Sequence, residues 1–133
     1  MKHFTLKELC RSNVAEVRRI DNKPNQQQID SLTALVDNVL DPLRERFKRP
    51  IIINSGFRSK DLNGAVGGAY NSQHMKGEAA DIYAGTKEGN RELFELIRKH
   101  LPFDQLINEN DFSWIHVSYR ADGKNNRGEM LKL

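Results

Sequence analysis

The chain is poor in cysteine and in long apolar runs. Cys10 is its only cysteine, so an internal disulfide is excluded, and we predict a buried or half-buried thiol without a chemical role. No apolar run approaches the roughly 20 residues that a membrane-spanning helix needs. The first residues, MKHFTLKELCRSN, contain no apolar stretch like that of a secretory signal. These absences predict a globular chain that does not span a membrane.

A strong excess of charge of one sign is also missing. Twenty-one Lys and Arg residues against 18 Asp and Glu give a net charge of +3, and the basic residues are spread among the acidic ones. Nucleic-acid binding therefore has little support, although a pI near 9.1 keeps a small α+β nucleic-acid-binding domain as a third and weaker hypothesis. The length of 133 residues suits one domain that covers residues 1–133.

The first half of the chain carries the main helical signals. Thr5 followed by Glu8 forms a capping-box pattern, which predicts a short helix with Phe4 packed against it. Over residues 25–47, apolar side chains recur at helical spacing and predict the main amphipathic helix. Because Pro42 lacks a backbone N–H and its ring clashes with the preceding turn, we expect this helix to kink or restart near Pro42.

The second half of the chain is richer in strand signals. The run 51–53 predicts a buried strand, and the stretch 56–77, with five glycines, predicts a long loop of the kind that carries function. Further strands are predicted at 79–83, 105–109 and 114–119, a helix at 89–100, and a less clearly marked edge strand at 129–132. This order predicts an α+β fold, a small mostly antiparallel sheet packed with helices.

One compact stretch combines residue types that bind metals. The sequence SQHMKGEAADIY contains the pattern S-x-H-x-x-G-x-A-x-D, in which Gly77 favours a loop for His74 and strand residues surround Asp81. Alternation along the strands 79–83 and 114–119 puts Asp81 and His116 on the same open side of the sheet. Two imidazoles and one carboxylate would leave the fourth position of a tetrahedral zinc ion for water, as in catalytic zinc sites.

Three segments together resemble a known family. SGFRS at 55–59, SQHMKGEAAD at 72–81 and WIHVSY at 114–119 resemble the zinc D-Ala-D-Ala carboxypeptidases and related peptidoglycan peptidases of the hedgehog/DD-peptidase fold. The resemblance implies that the chain binds one Zn²⁺ ion and acts on the peptide stem of peptidoglycan. It also implies roles for five residues: zinc ligation by His74, Asp81 and His116, substrate contact by Arg58, and a place in the site for Ser72.

The chain departs from this family at the usual general base. Many members have an acidic residue three positions before the last histidine, where this chain has Ser113. If 110–113 form a four-residue hairpin loop, Glu109 pairs with Trp114 and shares the face of His116. We therefore expect Glu109 to be the base, with Asp111 as the second choice. Trp114 is either a wall of the cleft or ordinary core.

These observations lead to two main functional hypotheses. The first is a zinc metallopeptidase that cuts a bond involving a D-amino acid in peptidoglycan, with Arg58 stabilising developing charge or holding a substrate carboxylate. The alternative is a non-catalytic zinc-containing peptidoglycan-binding module, suggested by Ser113. We expect a monomer that stays in the cytoplasm until it is released to the cell wall, as a phage or prophage lysin would.

Overall fold

The computed structural model describes residues 1–133 as helices packed against a five-stranded sheet. The α-helices are α1 (Leu6–Cys10), α2 (Asn13–Arg18), α3 (Gln26–Leu35), α4 (Asp41–Phe47), α5 (Lys60–Ala65) and α6 (Lys87–His100). The strands are β1 (Ile52–Ser55), β2 (Ala79–Tyr83), β3 (Gln105–Glu109), β4 (Trp114–Ser118) and β5 (Glu129–Lys132). The predicted α+β class is confirmed, and no helix is both long and apolar enough to cross a bilayer.

The sheet has the strand order β1-β2-β4-β3-β5. Its first three pairings are antiparallel, while β5 runs parallel to β3 at the far edge. Asp81 lies directly opposite His116, and Glu109 opposite Trp114, as the strand alternation and the four-residue loop predict. The register therefore brings residues distant in sequence to one face of the sheet.

The core lies on the other face of the sheet. Ala80, Ile82, Leu106, Ile115 and Val117 are fully buried there, in one cluster with apolar side chains of the helices. Because one face of each central strand fills this core, the alternating residues are left for a solvent-facing cleft.

The main helix is continuous but changes type before Pro42. Residues Val36–Leu40 form a π-helical turn between α3 and α4, and the N–H of Asp41 donates to the carbonyl of Val36. Proline can open a helix because the first turn needs no N–H donor. The predicted interruption near Pro42 is thus confirmed as a local widening followed by a new α-helical start.

The structure differs from the sequence predictions in three places. β1 is an edge strand and Ile52 is 51% exposed, so the prediction of a buried strand is wrong there. The predicted loop 56–77 contains α5 and a 3₁₀ turn, Gln73–Lys76. Helix α2 was not predicted, because its six residues are too few to show a clear period.

Candidate metal centre and substrate cleft

The open face of the sheet carries Asp81 on β2 and His116 on β4 as direct cross-strand partners. Their side chains meet: His116 Nδ1 lies 2.9 Å from Asp81 Oδ1. Both side chains are only 14% exposed. Neighbouring residues on one face of an antiparallel pair have Cβ atoms about 5 Å apart, which explains why the register alone brings these groups together.

His74 reaches the same carboxylate from the 3₁₀ turn Gln73–Lys76. Its Nε2 lies 3.4 Å from Asp81 Oδ1, and its ring is almost fully buried. The Nδ1 atom of His74 lies 2.7 Å from the carbonyl oxygen of Gly56. Because a carbonyl only accepts, Nδ1 must carry the proton, which leaves the lone pair of Nε2 free for a metal ion.

Ser72 and Gly77 fix the two ends of this turn. Ser72 Oγ accepts a hydrogen bond of 3.2 Å from the backbone N–H of His74. Gly77 ends the turn at a φ of 74°, in the left-handed region, and a Cβ atom there would lie 2.5 Å from the carbonyl oxygen of Gln28. Only glycine fits this position without displacing backbone. The hydrogen bond to Ser72 orients the backbone at His74. Ser72 also lines the cleft.

His74, Asp81 and His116 form a group that fits one metal ion. One donor atom from each residue lies within 4.8 Å of the other two. Tetrahedral zinc with bonds near 2.0–2.1 Å requires donors about 3.3 Å apart. The observed carboxylate–imidazole separations of 2.9 and 3.4 Å are close to that value. Two imidazoles and one carboxylate suit zinc and leave one tetrahedral position open.

The electrostatics favour an ionised carboxylate at this centre. Burial raises the pKa of Asp81, but the neighbouring imidazole groups of His116 and His74 outweigh burial and hold that pKa well below its usual range. An ionised carboxylate is the form that binds a cation. Asp81 is therefore ready to accept a metal ion at neutral pH.

Arg58 lies beside this carboxylate and is held in place by two other side chains. Its Nη2 is 3.5 Å from Asp81 Oδ2, while Nε donates to Ser55 Oγ and Nη1 to Asn63 Oδ1, each at 3.1 Å. Burial lowers the pKa of Arg58, and the charge of Asp81 partly restores it. The buried Asn63 also donates to the carbonyl of Ala69. No motif in the sequence pointed to Asn63.

The structure separates the two carboxylates considered for general base. Glu109 lines the same cleft as His74, Asp81 and His116. Asp111 lies outside the cleft, where it accepts a 2.6 Å hydrogen bond from Lys87 that lowers its pKa. Ser113 borders the same outer hollow as Asp111. Trp114 is half-buried and does not border the cleft.

Sequence reasoning missed six other residues that line the cleft. These are polar or charged side chains without a recognisable motif: Gln73, Lys76, Glu78, Gln105, Arg120 and Arg127. Gln105 could have been found from strand alternation, because it shares a face with Glu109. Arg120 and Arg127 lie outside regular strands, so no periodic signal places them.

Comparison with known proteins supports the same assignment. A segment of 52 residues is 50% identical to the zinc D-Ala-D-Ala carboxypeptidase of Streptomyces albus G; it covers 39% of this chain and 20% of that relative. The chain thus matches about a fifth of the length of that protein. The sequence model of the Peptidase M15 family matches residues 2–118, which include His74, Asp81 and His116. The chain belongs to the Peptidase M15 family, which confirms the predicted family.

Proposed function

We propose that this zinc peptidase hydrolyses a peptide bond involving a D-amino acid in bacterial peptidoglycan, as a carboxypeptidase or as an endopeptidase that cuts within the wall. The observation that carries the proposal is one cleft lined by the His74–Asp81–His116 group, by Arg58 and by Glu109. The name of the Streptomyces relative supports the D-amino acid preference.

In this proposal His74, Asp81 and His116 hold the single zinc ion. When bound, such an ion polarises a carbonyl group and lowers the pKa of water toward about 7. The chain supplies the orientation. The carbonyl of Gly56 fixes the tautomer of His74, and β-sheet register fixes the distance between Asp81 and His116. Both devices prepare the donor atoms before the ion arrives.

Glu109 is the proposed general base. It lies two residues along β3 from Ile107, which pairs with His116, and this spacing corresponds to about 7 Å along the strand. A glutamate side chain spans much of that distance. Its carboxylate accepts a proton from the attacking water and passes that proton to the leaving amine. Glu109 thereby takes the role that Ser113 cannot perform.

Arg58 is proposed to bind the substrate, and Ser72 to line its path. The guanidinium has five N–H donors, and contacts with Ser55 and Asn63 occupy two of them. The remaining donors suit either the developing negative charge on the scissile carbonyl oxygen or a substrate carboxylate. Because Arg58 stays close to Asp81, the substrate group it binds lies next to the metal centre.

Digestion of purified muropeptides by the zinc-loaded protein tests this function. We expect new peptide termini, detected by mass spectrometry, and a loss of turnover of about 100-fold or more in Glu109→Gln, as removal of a general base gives. Asp111→Asn is the matched control, because Asp111 lies outside the cleft. We expect it to keep wild-type turnover. Equal loss in both variants would reject Glu109 as the base.

A second function follows from Ser113, which replaces the acid at the usual base position. Under this alternative the chain is a non-catalytic zinc-containing module that binds peptidoglycan. The same digest separates the two functions. Intact muropeptides together with zinc-dependent binding to purified wall material would support the binding module and reject the enzyme.

A further inference from the structure

The cleft continues past the metal centre to a basic end formed by Arg120 and Arg127. On β3, Gln105 and Glu109 lie on opposite sides of Ile107, the partner of His116. Glu109 therefore marks one end of the cleft and Gln105 the other. Both arginines border the cleft and lie at the Gln105 end, as their shared anchor, Asp104, immediately precedes this residue.

A buried carboxylate holds both arginines. Asp104 has a side-chain exposure of 0%. The guanidinium of Arg127 binds it through two parallel hydrogen bonds, from Nε to Oδ1 at 3.0 Å and from Nη2 to Oδ2 at 2.8 Å. The Nε atom of Arg120 lies 3.3 Å from Asp104 Oδ1. The two-point contact fixes the plane of the Arg127 guanidinium, while Arg120 is held by a single ion pair.

The arrangement leaves guanidinium donors without an acceptor in the protein. Arg120 is 38% exposed, and neither of its terminal Nη atoms has a hydrogen-bond acceptor in the protein. Arg127 directs Nη1 only toward Glu129, at 3.9 Å. Lys76 adds a further positive charge to the wall of the cleft. A fixed guanidinium with free donors is suited to a carboxylate.

Two acidic side chains nearby have their own partners. Glu78, which also lines the cleft, accepts a hydrogen bond from Gln73 at 3.3 Å. Glu129 accepts one from Gln105 at 2.6 Å and does not line the cleft. Neither carboxylate accepts a hydrogen bond from the guanidinium of Arg120.

We propose that Arg120 and Arg127 form a second substrate subsite that binds a carboxylate of an acidic peptide, separate from the group that binds next to the metal centre. The proposal deepens the proposed function, because it assigns the substrate class of the same cleft. A stem peptide with a free side carboxylate is then preferred over the same peptide with that carboxylate amidated. Asp104 is a positioning residue for both arginines.

The test compares two stem peptides that differ only in this carboxylate or carboxamide. For the zinc-loaded wild-type protein we expect KM to be about tenfold lower for the carboxylate peptide, with kcat unchanged, as the loss of one charge-assisted hydrogen bond gives. Arg120→Gln should bring the KM ratio close to one, while Arg120→Lys should keep part of the preference. Arg98→Gln, on the exposed surface of α6, is the matched control and should keep the full ratio.

The outcomes of the subsite and of the peptidase function can be told apart. Equal KM values for the two peptides in the wild-type protein would overturn the subsite and leave the peptidase intact. If neither peptide is cleaved, the peptidase function fails, and dissociation constants from calorimetry then decide the subsite. A preference of about tenfold that Arg120→Gln removes supports it; equal binding of the two peptides overturns it.

Discussion

Arg58 shows how much of the site depends on single contacts that no sequence pattern displays. Its guanidinium is directed by Ser55 and Asn63, and the buried Asn63 lies against Gly68. A Cβ atom at Gly68 would overlap Asn63 Oδ1 and lie 2.8 Å from Arg58 Nη1. The absence of a side chain at Gly68 is thus a condition for the position of Arg58.

We predict that Gly68→Ala lowers kcat/KM by at least about tenfold, because a misplaced guanidinium costs on the order of one charge-assisted hydrogen bond. The thermal midpoint should fall by only a few degrees, since the added methyl group lies beside the cleft and not in the core. Steady-state kinetics and calorimetry measure both quantities on the same preparation.

Gly64→Ala is the control for this prediction. Gly64 lies in α5, and a Cβ atom there meets nothing within 4 Å. Alanine is the better helix former, so this variant should be as stable as the wild type or more stable by up to about 1 kcal/mol. Unchanged kcat/KM in Gly68→Ala would show that Asn63 does not position Arg58.

The ligand types could be predicted from the sequence, but their supporting residues could not. The shared face of Asp81 and His116 follows from strand alternation, since a period of two leaves only one face for each, while their role as ligands follows from the family resemblance. Asn63 and Gly68 lie in a segment without a period, and their roles depend on how that segment folds back. The sequence favours Glu109 over Asp111 as the base, but it does not show the loop conformation between them, in which 110–112 all have positive φ.

At the scale of elements, the 3₁₀ turn links the main helix to the metal centre. Gln28, in the first turn of α3, donates to the carbonyl of Met75 at 3.0 Å, and its own carbonyl oxygen lies against Gly77. The backbone of the turn is therefore fixed on a rigid helix. This packing fixes the position of His74.

We predict that Gly77→Ala destabilises the fold and weakens zinc binding together. The variant combines left-handed strain with a contact of 2.5 Å to the backbone carbonyl of Gln28, so the turn must move. The expected cost is about 2–4 kcal/mol in the free energy of unfolding. Zinc affinity, measured by competition with a chelator, should fall by about 10-fold or more as His74 shifts.

Gly128→Ala separates the effect of the positive φ from the effect of the close contact with Gln28. Gly128 also has a positive φ, 63°, but a Cβ atom there meets nothing within 4 Å. It should show the conformational cost alone, about 1 kcal/mol, with wild-type zinc affinity. If Gly77→Ala behaves like Gly128→Ala, the turn does not depend on close packing against α3.

The elements themselves were predicted unequally, for physical reasons. Long periodic segments such as α3 and α6 have many apolar positions that agree with one another, and the hairpin of β3 and β4 is fixed by its loop length. The short helices α2 and α5 depend on serine caps and tertiary contacts, because six residues make few hydrogen bonds of their own. Their formation is therefore a property of the whole fold.

For the whole molecule, net charge is a poor guide to its partners. The net charge of +3 does not show how charge is distributed along the cleft, which has Glu109 at one end and two arginines at the other. The ion pair between Asp104 and the two arginines also stabilises the fold, because Asp104 attaches the chain just before β5 to the sheet. Its carboxylate accepts from the N–H of Arg127, and its carbonyl accepts from the N–H of Glu129. Loss of the Asp104 charge should thus affect global stability.

The pKa of Asp104 predicts how this contribution depends on pH. Burial raises that pKa, but hydrogen bonds and charges of Arg127 and Arg120 outweigh burial and lower it from 3.8 to about 2. A carboxylate with a lowered folded-state pKa stabilises the fold above its unfolded-state pKa and stops doing so as pH falls through the folded-state value. The stabilisation is therefore complete above about pH 4 and disappears between about pH 4 and pH 2.

A double-mutant cycle with Asp104→Asn and Arg127→Gln measures this contribution directly. From the pKa shift we expect a coupling free energy of at most about 2 kcal/mol at pH 7, reduced because Arg127 is 45% exposed to screening solvent. Denaturant unfolding at several pH values should show the coupling shrinking toward zero near pH 2. Neither of the two replacement amide side chains can ionise. A coupling free energy that stays constant from pH 7 to pH 2 therefore cannot arise from the ion pair, and the attachment of β5 to the sheet would then not depend on the charge of Asp104.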